Sequence, residues 1–159
     1  MNKAAVFFVG IGGIGMSGLA QYFLSQGYAV AGYDRVLTPL TQKLASLGAQ
    51  ISDVDAPTAI PTLFRDPKNT KVIYTPAVPA KSPVLTYFKD NGFKLAKRAA
   101  VIGEISHTMP CLAVAGTHGK TTTSALLTHL LRTCGKKITA FFGGIAADID
   151  SNFLLEGND

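Results

Sequence analysis

The chain has no tryptophan, only two cysteines, and charged side chains at just 16% of its 159 residues. Cys111 and Cys134 form no metal-ligand spacing, and the simplest expectation is a reduced, cytoplasmic protein. No apolar run reaches the roughly 18 residues of a membrane span, so no membrane partner is expected. The N-terminus lacks the charged start and cleavage site of a signal peptide. Basic runs are missing too, and the aromatic residues are scattered. The net charge of +5 therefore suits anionic small molecules better than nucleic acid.

What is present is a globular composition, 47% hydrophobic, organised around Val114-Ala115-Gly116-Thr117-His118-Gly119-Lys120-Thr121-Thr122-Thr123. The apolar run 111–115 predicts a buried strand. After the glycines and Lys120, a helical pattern follows through Leu126, Leu127, Leu130 and Leu131. Strand, glycine turn, Lys-Thr and helix is an arrangement that holds ATP or GTP phosphates. Helix-start N–H groups point at the anion, and the lysine reaches the terminal phosphates. Thr121, directly after the lysine, can put its hydroxyl on Mg²⁺. The match to G-x-x-x-x-G-K-[ST] is incomplete, because Val114 stands where the first glycine belongs. The alternative is a glycine turn with a surface lysine.

A second glycine pattern opens the chain. The continuous apolar run 4–9 suits a parallel strand covered on both faces, and it enters Gly10-Ile11-Gly12-Gly13-Ile14-Gly15, a complete G-x-G-x-x-G. A helix carrying Met16, Leu19, Ala20, Phe23 and Leu24 follows, closed by Gly27, and then a strand 30–33 ending at Asp34. This is a βαβ unit with an acidic residue near the spacing of the dinucleotide fingerprint. The ligand stays open, because NAD, FAD and a UDP-sugar all carry a pyrophosphate that fits such a loop.

Further along, Thr38-Pro39 starts a helix as N-cap and first-turn proline, and Gly48 ends it. Residues 49–52 predict a short strand, and 53–70, with three prolines, loops around at most one short helix. Residues 71–75 predict a strand that stops at Pro76. Thr75 and Pro76 either border the same crevice as Gly12 and Asp34 or form a proline turn packing the sheet edge. A helix over 84–89, a strand over 93–96 and a helical stretch over 101–105 complete the unit. Lys97 and Arg98 fall at a strand end, where a cation could meet a phosphate; Lys97 reads as solvated surface charge. Met109-Pro110 breaks the pattern, giving two domains, 1–107 and 108–159. A strand over 138–142, Gly143-Gly144 and a tail over 151–159 end the chain.

Two phosphate loops in this order resemble the Mur ligase family. The resemblance rests on Gly10 to Gly15 with Met16-Ser17-Gly18, on Tyr74-Thr75-Pro76-Ala77-Val78, Lys97-Arg98-Ala99 and Ala115 to Thr123, and on Gly143-Gly144 and Ser151-Asn152. It implies an α/β chain, a Rossmann-like parallel-sheet domain that binds a UDP-sugar, followed by the beginning of a P-loop ATPase domain. It also implies ATP and Mg²⁺ as cofactors and a cytoplasmic role in peptidoglycan precursor synthesis. The reaction would activate the carboxylate of UDP-N-acetylmuramate as an acyl phosphate for attack by the amine of L-alanine.

Carried onto this sequence, the UDP diphosphate falls on Gly10, Ile11, Gly12, Gly13, Ile14 and Gly15, with Asp34, Thr75 and Pro76 beside the nucleotide-sugar. ATP falls on Gly116, Thr117, His118, Gly119, Lys120, Thr121 and Thr122. Lys120 and Thr121 carry the catalytic role, and Thr121 is the metal ligand. His118 reads as a loop side chain beside phosphate rather than a base. His118 and the Gly-Gly-Ile-Gly-Met form lean toward the alanine-adding branch, with a ligase that recycles a murein tripeptide as the alternative.

The family's acidic Mg²⁺-binding stretch is absent, and Ala100 stands where glutamate is frequent. The expectation is therefore an N-terminal portion that binds the UDP-sugar and does not ligate by itself. Its unpaired apolar edges would favour self-association. Readings of another class are an NAD-dependent oxidoreductase, which leaves the Lys-Thr loop as coincidence, and a non-catalytic nucleotide-binding module.

Overall fold

A computed structural model describes residues 4–157; the extreme ends of the two expected domains, residues 1–3 and 158–159, lie outside it. Five parallel strands form the central sheet: β1 (Ala5–Val9), β2 (Ala29–Tyr33), β3 (Gln50–Ser52), β4 (Thr70–Tyr74) and β5 (Lys94–Lys97), in the order β3-β2-β1-β4-β5. The connecting helices are α1 (Ile14–Ser25), α2 (Pro39–Ser46), α3 (Pro83–Asp90) and α4 (Arg98–Ser106). Two short 3₁₀ turns, Pro57–Ala59 and Thr62–Arg65, occupy the proline-rich segment, one more than the sequence suggests. Each proline there starts or precedes a turn that its fixed φ favours.

The unbroken hydrophobicity of β1 has a direct cause, because both of its faces are covered. Ala5, Phe7 and Val9 point into one layer with Phe64, Val84, Leu85, Phe88 and Phe93. Val6 and Phe8 point into the other with Ile11, Met16, Leu19, Ala20, Phe23, Leu44 and Val101. Phe7 and Phe88 sit 4.8 Å apart by ring centroids, as do Phe88 and Phe93. Helix α2 starts as expected: Thr38 and Thr41 form a reciprocal capping box with Pro39 in the first turn.

Three expectations for the second half need correction. Residues 111–115 form no strand and are mostly exposed, with Leu112 at 69%. A strand requires a neighbour for its backbone ladder, and no described strand pairs with this segment. The strand expected to stop at Phe142 continues through both glycines as β6 (Thr139–Ala146). The expected tail is a strand, β7 (Ser151–Leu155), antiparallel to β6 with a register shift between Phe141 and Ala146. This hairpin packs on α1, where Tyr22 meets Phe141 and Phe153.

The helix after the second glycine loop, α5 (Lys120–Thr133), forms as expected. Leu127 and Leu131 are half-buried, whereas Leu126 and Leu130 remain exposed. Cys111 and Cys134 are both exposed and unbonded. Among the described residues no helix is long and apolar enough to cross a membrane.

Burial and the Asp55 carboxylate, which accepts a hydrogen bond from the phenol, raise the pKa of Tyr33; Asp34 adds to the shift and Arg35 opposes it. The neutral phenol is therefore favoured in the fold, and its contribution is complete below the unfolded value of about 10. It is lost as pH rises through the higher folded value. Urea unfolding between pH 9 and 11 should show stability falling with pH, and Tyr33→Phe should remove that part of the slope. An unchanged slope would mean that burial and Asp55 together do not raise the phenol's pKa.

Candidate phosphate-binding sites

The strand order reverses at β1, which pairs with β2 on one side and β4 on the other. That switch point leaves a crevice at the carboxyl ends of the strands, where open α/β sheets bind ligands. Gly10 leaves β1 there with φ +90°, a left-handed conformation. Its N–H and that of Ile11 both donate to the Tyr33 carbonyl, at 2.8 and 3.1 Å, pinning the loop to the end of β2. Gly13 caps α1 without a side-chain hydrogen bond. The first-turn N–H groups thus face the loop opening with no side chain competing for them, and the helix dipole adds positive potential.

Asp34, at the end of β2, does not stand clear of the loop. Its Oδ2 accepts from the Gly12 N–H at 2.7 Å and its Oδ1 from the Val36 N–H at 3.2 Å. A Cβ on Gly12 would lie 2.9 Å from Asp34 Oδ2 and 3.0 Å from Thr41 Cγ2. The carboxylate thus braces the loop from behind and consumes one N–H that could otherwise reach an anion. From β4, Thr75 closes the other side: a Cβ on Gly10 would meet Thr75 Cγ2 at 2.7 Å and Val78 Cγ2 at 2.9 Å. Thr75 thus lies beside the first glycine loop. Pro76 follows in that turn, which Val78 N–H closes onto the Thr75 carbonyl.

One residue that the sequence marked only as a cation at a strand end gains a definite place here. Arg98, the first residue of α4, lays its guanidinium against Gly15, where a Cβ would collide with it. A half-buried guanidinium over an uncapped helix start is a strong anion receptor. Its position at a strand end was the available signal. What the sequence could not supply was the approach of α4 to Gly15.

The second loop is separate. Gly119, at φ +75°, is the N-cap of α5, and Gly116 has φ +153°. Lys120 Nζ donates to the carbonyls of Gly116 at 2.6 Å and Thr117 at 3.1 Å, folding the loop around its own lysine. Gly116, Thr117, His118 and Gly119 are exposed, so the loop offers a phosphate chain its backbone N–H groups. Thr121 turns toward the hairpin: a Cβ on Gly144 would lie 3.4 Å from its Cγ2 and Oγ1. A cleft of about 530 Å³ runs from Thr121 and Thr122 along α5 to Asp148. The donor set fits a nucleotide's phosphates. It does not by itself fit a metal, because the described residues contain no group of three or more His, Cys, Asp or Glu able to hold one.

The expected site residues therefore fall into two sets, 10–15 with Asp34, Thr75 and Pro76, and 116–122. Asp34→Ala removes two charge-assisted hydrogen bonds. It should lower unfolding stability by about 1–2 kcal/mol, read as a lower urea midpoint at unchanged slope. An unchanged midpoint would show that the brace carries no weight.

The chain is similar to known proteins in sequence and in fold. The family model described as "Mur ligase family, catalytic domain" matches residues 5–109. The UDP-N-acetylmuramate–L-alanine ligase of Christiangramia forsetii is 48% identical over 153 residues, which is 96% of this chain and 34% of the relative. That of Parabacteroides distasonis is 50% identical over 156 residues, 98% of this chain and 34% of the relative. The chain thus spans about a third of the length of these relatives. Among solved structures, the UDP-N-acetylmuramate-alanine ligase of Thermotoga maritima superposes with TM-score 0.86 at 32% identity, covering 97% of this chain and 35% of the other. The UDP-N-acetylmuramate:L-alanyl-gamma-D-glutamyl-meso-diaminopimelate ligase from Neisseria meningitides reaches the same TM-score at 24% identity, over 96% of this chain and 47% of the other; at that identity it shows the shared fold.

Proposed function

The chain belongs to the Mur ligase family, and we propose that it serves ATP-dependent joining of L-alanine to UDP-N-acetylmuramate in cytoplasmic peptidoglycan precursor synthesis. The observation that carries this reading is the pair of phosphate loops, one at the switch point under Arg98 and one around Lys120. Residues 1–107 are the UDP-sugar-binding domain and 108–159 the beginning of the ATP-binding domain. In this reading the diphosphate lies on Gly10 to Gly15, with its charge met by the α1 dipole and Arg98. Thr75 and Pro76 wall the crevice on the β4 side, and Asp34 holds the loop in shape behind the ligand.

ATP would supply the phosphoryl group that turns the muramic carboxylate into an acyl phosphate, leaving ADP, and the alanine amine would then form the amide and displace inorganic phosphate. Gly116, Thr117, His118, Gly119 and Thr122 would wrap its phosphates. Lys120 would exchange its two loop carbonyls for phosphate oxygens. Thr121 would offer a hydroxyl to Mg²⁺ arriving with the nucleotide. Carboxylates for that ion are not clustered among the described residues. The exposed Leu126 and Leu130 support self-association of the 159-residue chain as an accompanying property.

Thermal unfolding with UDP-N-acetylmuramate, UDP, NADH and Mg-ATP in parallel tests this. At 100 times its dissociation constant a ligand adds roughly 2.7 kcal/mol, a shift on the order of 10 °C or more for a domain of about 100 residues. The UDP-sugar should give such a shift and NADH none. Arg98→Ala should weaken the UDP-sugar by roughly 10- to 100-fold, as expected for losing a charge-assisted contact to phosphate. A shift with NADH and none with the UDP-sugar would replace the ligase reading with an oxidoreductase one.

A further inference from the structure

Two sequence features so far have no role: Met16-Ser17-Gly18, which extends the first glycine loop, and Ser151-Asn152. In the fold they meet. Asn152 is buried on β7 and presents its side chain to the first turns of α1. Its Nδ2 donates to the Ile14 carbonyl at 2.5 Å and to Ser17 Oγ at 2.8 Å, and its Oδ1 accepts from Gln21 Nε2 at 3.1 Å. Ser17 and Gln21 are buried as well, and Ser17 Oγ donates in turn to the Ile14 carbonyl. Gly18 makes room for the approach, since a Cβ there would sit 3.3 Å from both Asn152 Nδ2 and its carbonyl oxygen. Ser151 joins through Lys43, whose Nζ donates to Ser151 Oγ at 3.3 Å.

The chemistry of this contact is informative. The aromatic residues Tyr22, Phe141 and Phe153 already supply adhesion between α1 and the hairpin, but apolar contact alone tolerates sliding. A buried asparagine with both amide hydrogens and its carbonyl engaged accepts one register only, because any slip leaves buried polar groups unpaired. One of its partners, Ile14, belongs to the first glycine loop itself. On the other side of the hairpin, Gly144 of β6 packs on Thr121 of the second loop. The two phosphate loops are thus joined through α1, Asn152, the hairpin and Thr121.

We propose that Asn152 is the positioning residue that sets the Lys120 loop against the Gly10 to Gly15 loop, so that occupancy of the first loop steadies the second. This rests on the sugar-nucleotide reading of the first loop. Asn152 touches no ligand in this account and acts through Ile14 and Ser17.

Amide hydrogen exchange of the 159-residue chain, with and without UDP-N-acetylmuramate, tests it. In the wild type the ligand should slow exchange at residues 10–15 and also across 139–155 and the start of α5. Asn152→Ala should keep the protection at 10–15, lose the protection at 139–155, and raise basal exchange there by about tenfold or more. Gly18→Ala attacks the same contact from the helix side without weakening α1, since alanine is the better helix former, and should give the same loss in milder form. Protection at 10–15 that never reaches 139–155, or that reaches it equally in Asn152→Ala, overturns the positioning role and leaves the sugar-nucleotide reading intact. Absence of protection at 10–15 in the wild type removes that reading, and this inference with it.

Discussion

The left-handed turn at Gly10 is the constraint on which the crevice depends. A side chain there would face both strain at φ +90° and collision with Thr75 and Val78. With glycine in place, the ends of β1 and β4 close to van der Waals contact, while two hydrogen bonds to the Tyr33 carbonyl tie in β2. The end of β5 arrives through Arg98. Four strand ends from distant parts of the sequence thereby converge on six residues of loop. The double-sided core beneath holds them, and the parallel topology makes such convergence available at one end of the sheet only.

The second phosphate loop is built on different terms. It has no sheet beneath it among the described residues; residues 111–115 run exposed up to it, and α5 leaves two leucines uncovered. Its placement rests on the contact of Thr121 with the β6 glycines and on the salt bridge from Arg132 Nη2 to Glu156 at 2.7 Å. The salt bridge is partly exposed and worth little. The hairpin's grip on α1 therefore does most to orient this loop. A buried polar contact there gives direction where the apolar core gives only adhesion.

The first unit was legible in the sequence because each strand and helix is locally self-consistent. An apolar run covered on both faces, a proline after a threonine cap and glycines after helices all signal without tertiary information. The errors came where an element depends on a partner. Residues 111–115 carry a strand's composition, yet composition cannot supply a neighbouring ladder. Gly143 and Gly144 read as a strand end, whereas they lie inside β6, in the stretch where its register with β7 shifts, and pack on Thr121. Residues 151–155 read as a tail because their hydrogen-bonding partners lie near residues 139–146 and 14–21. Asp34 was found by its spacing, but its bonds to Gly12 and Val36 make it a brace for the loop. Arg98 and Asn152 both act across distances of more than 80 residues in sequence, where pattern reading has no reach.

The central claim is that one chain carries two distinct phosphate-binding loops, the first for a sugar nucleotide. The most direct measurement is an amide NMR titration of the 159-residue chain, first with UDP-N-acetylmuramate and then with ATP. The account predicts that the UDP-sugar moves the resonances of residues 11–15 together with Arg98, and that ATP moves a second set at residues 116–122. Both ligands perturbing the same loop, or the UDP-sugar leaving residues 11–15 unmoved at saturating concentration, would contradict it.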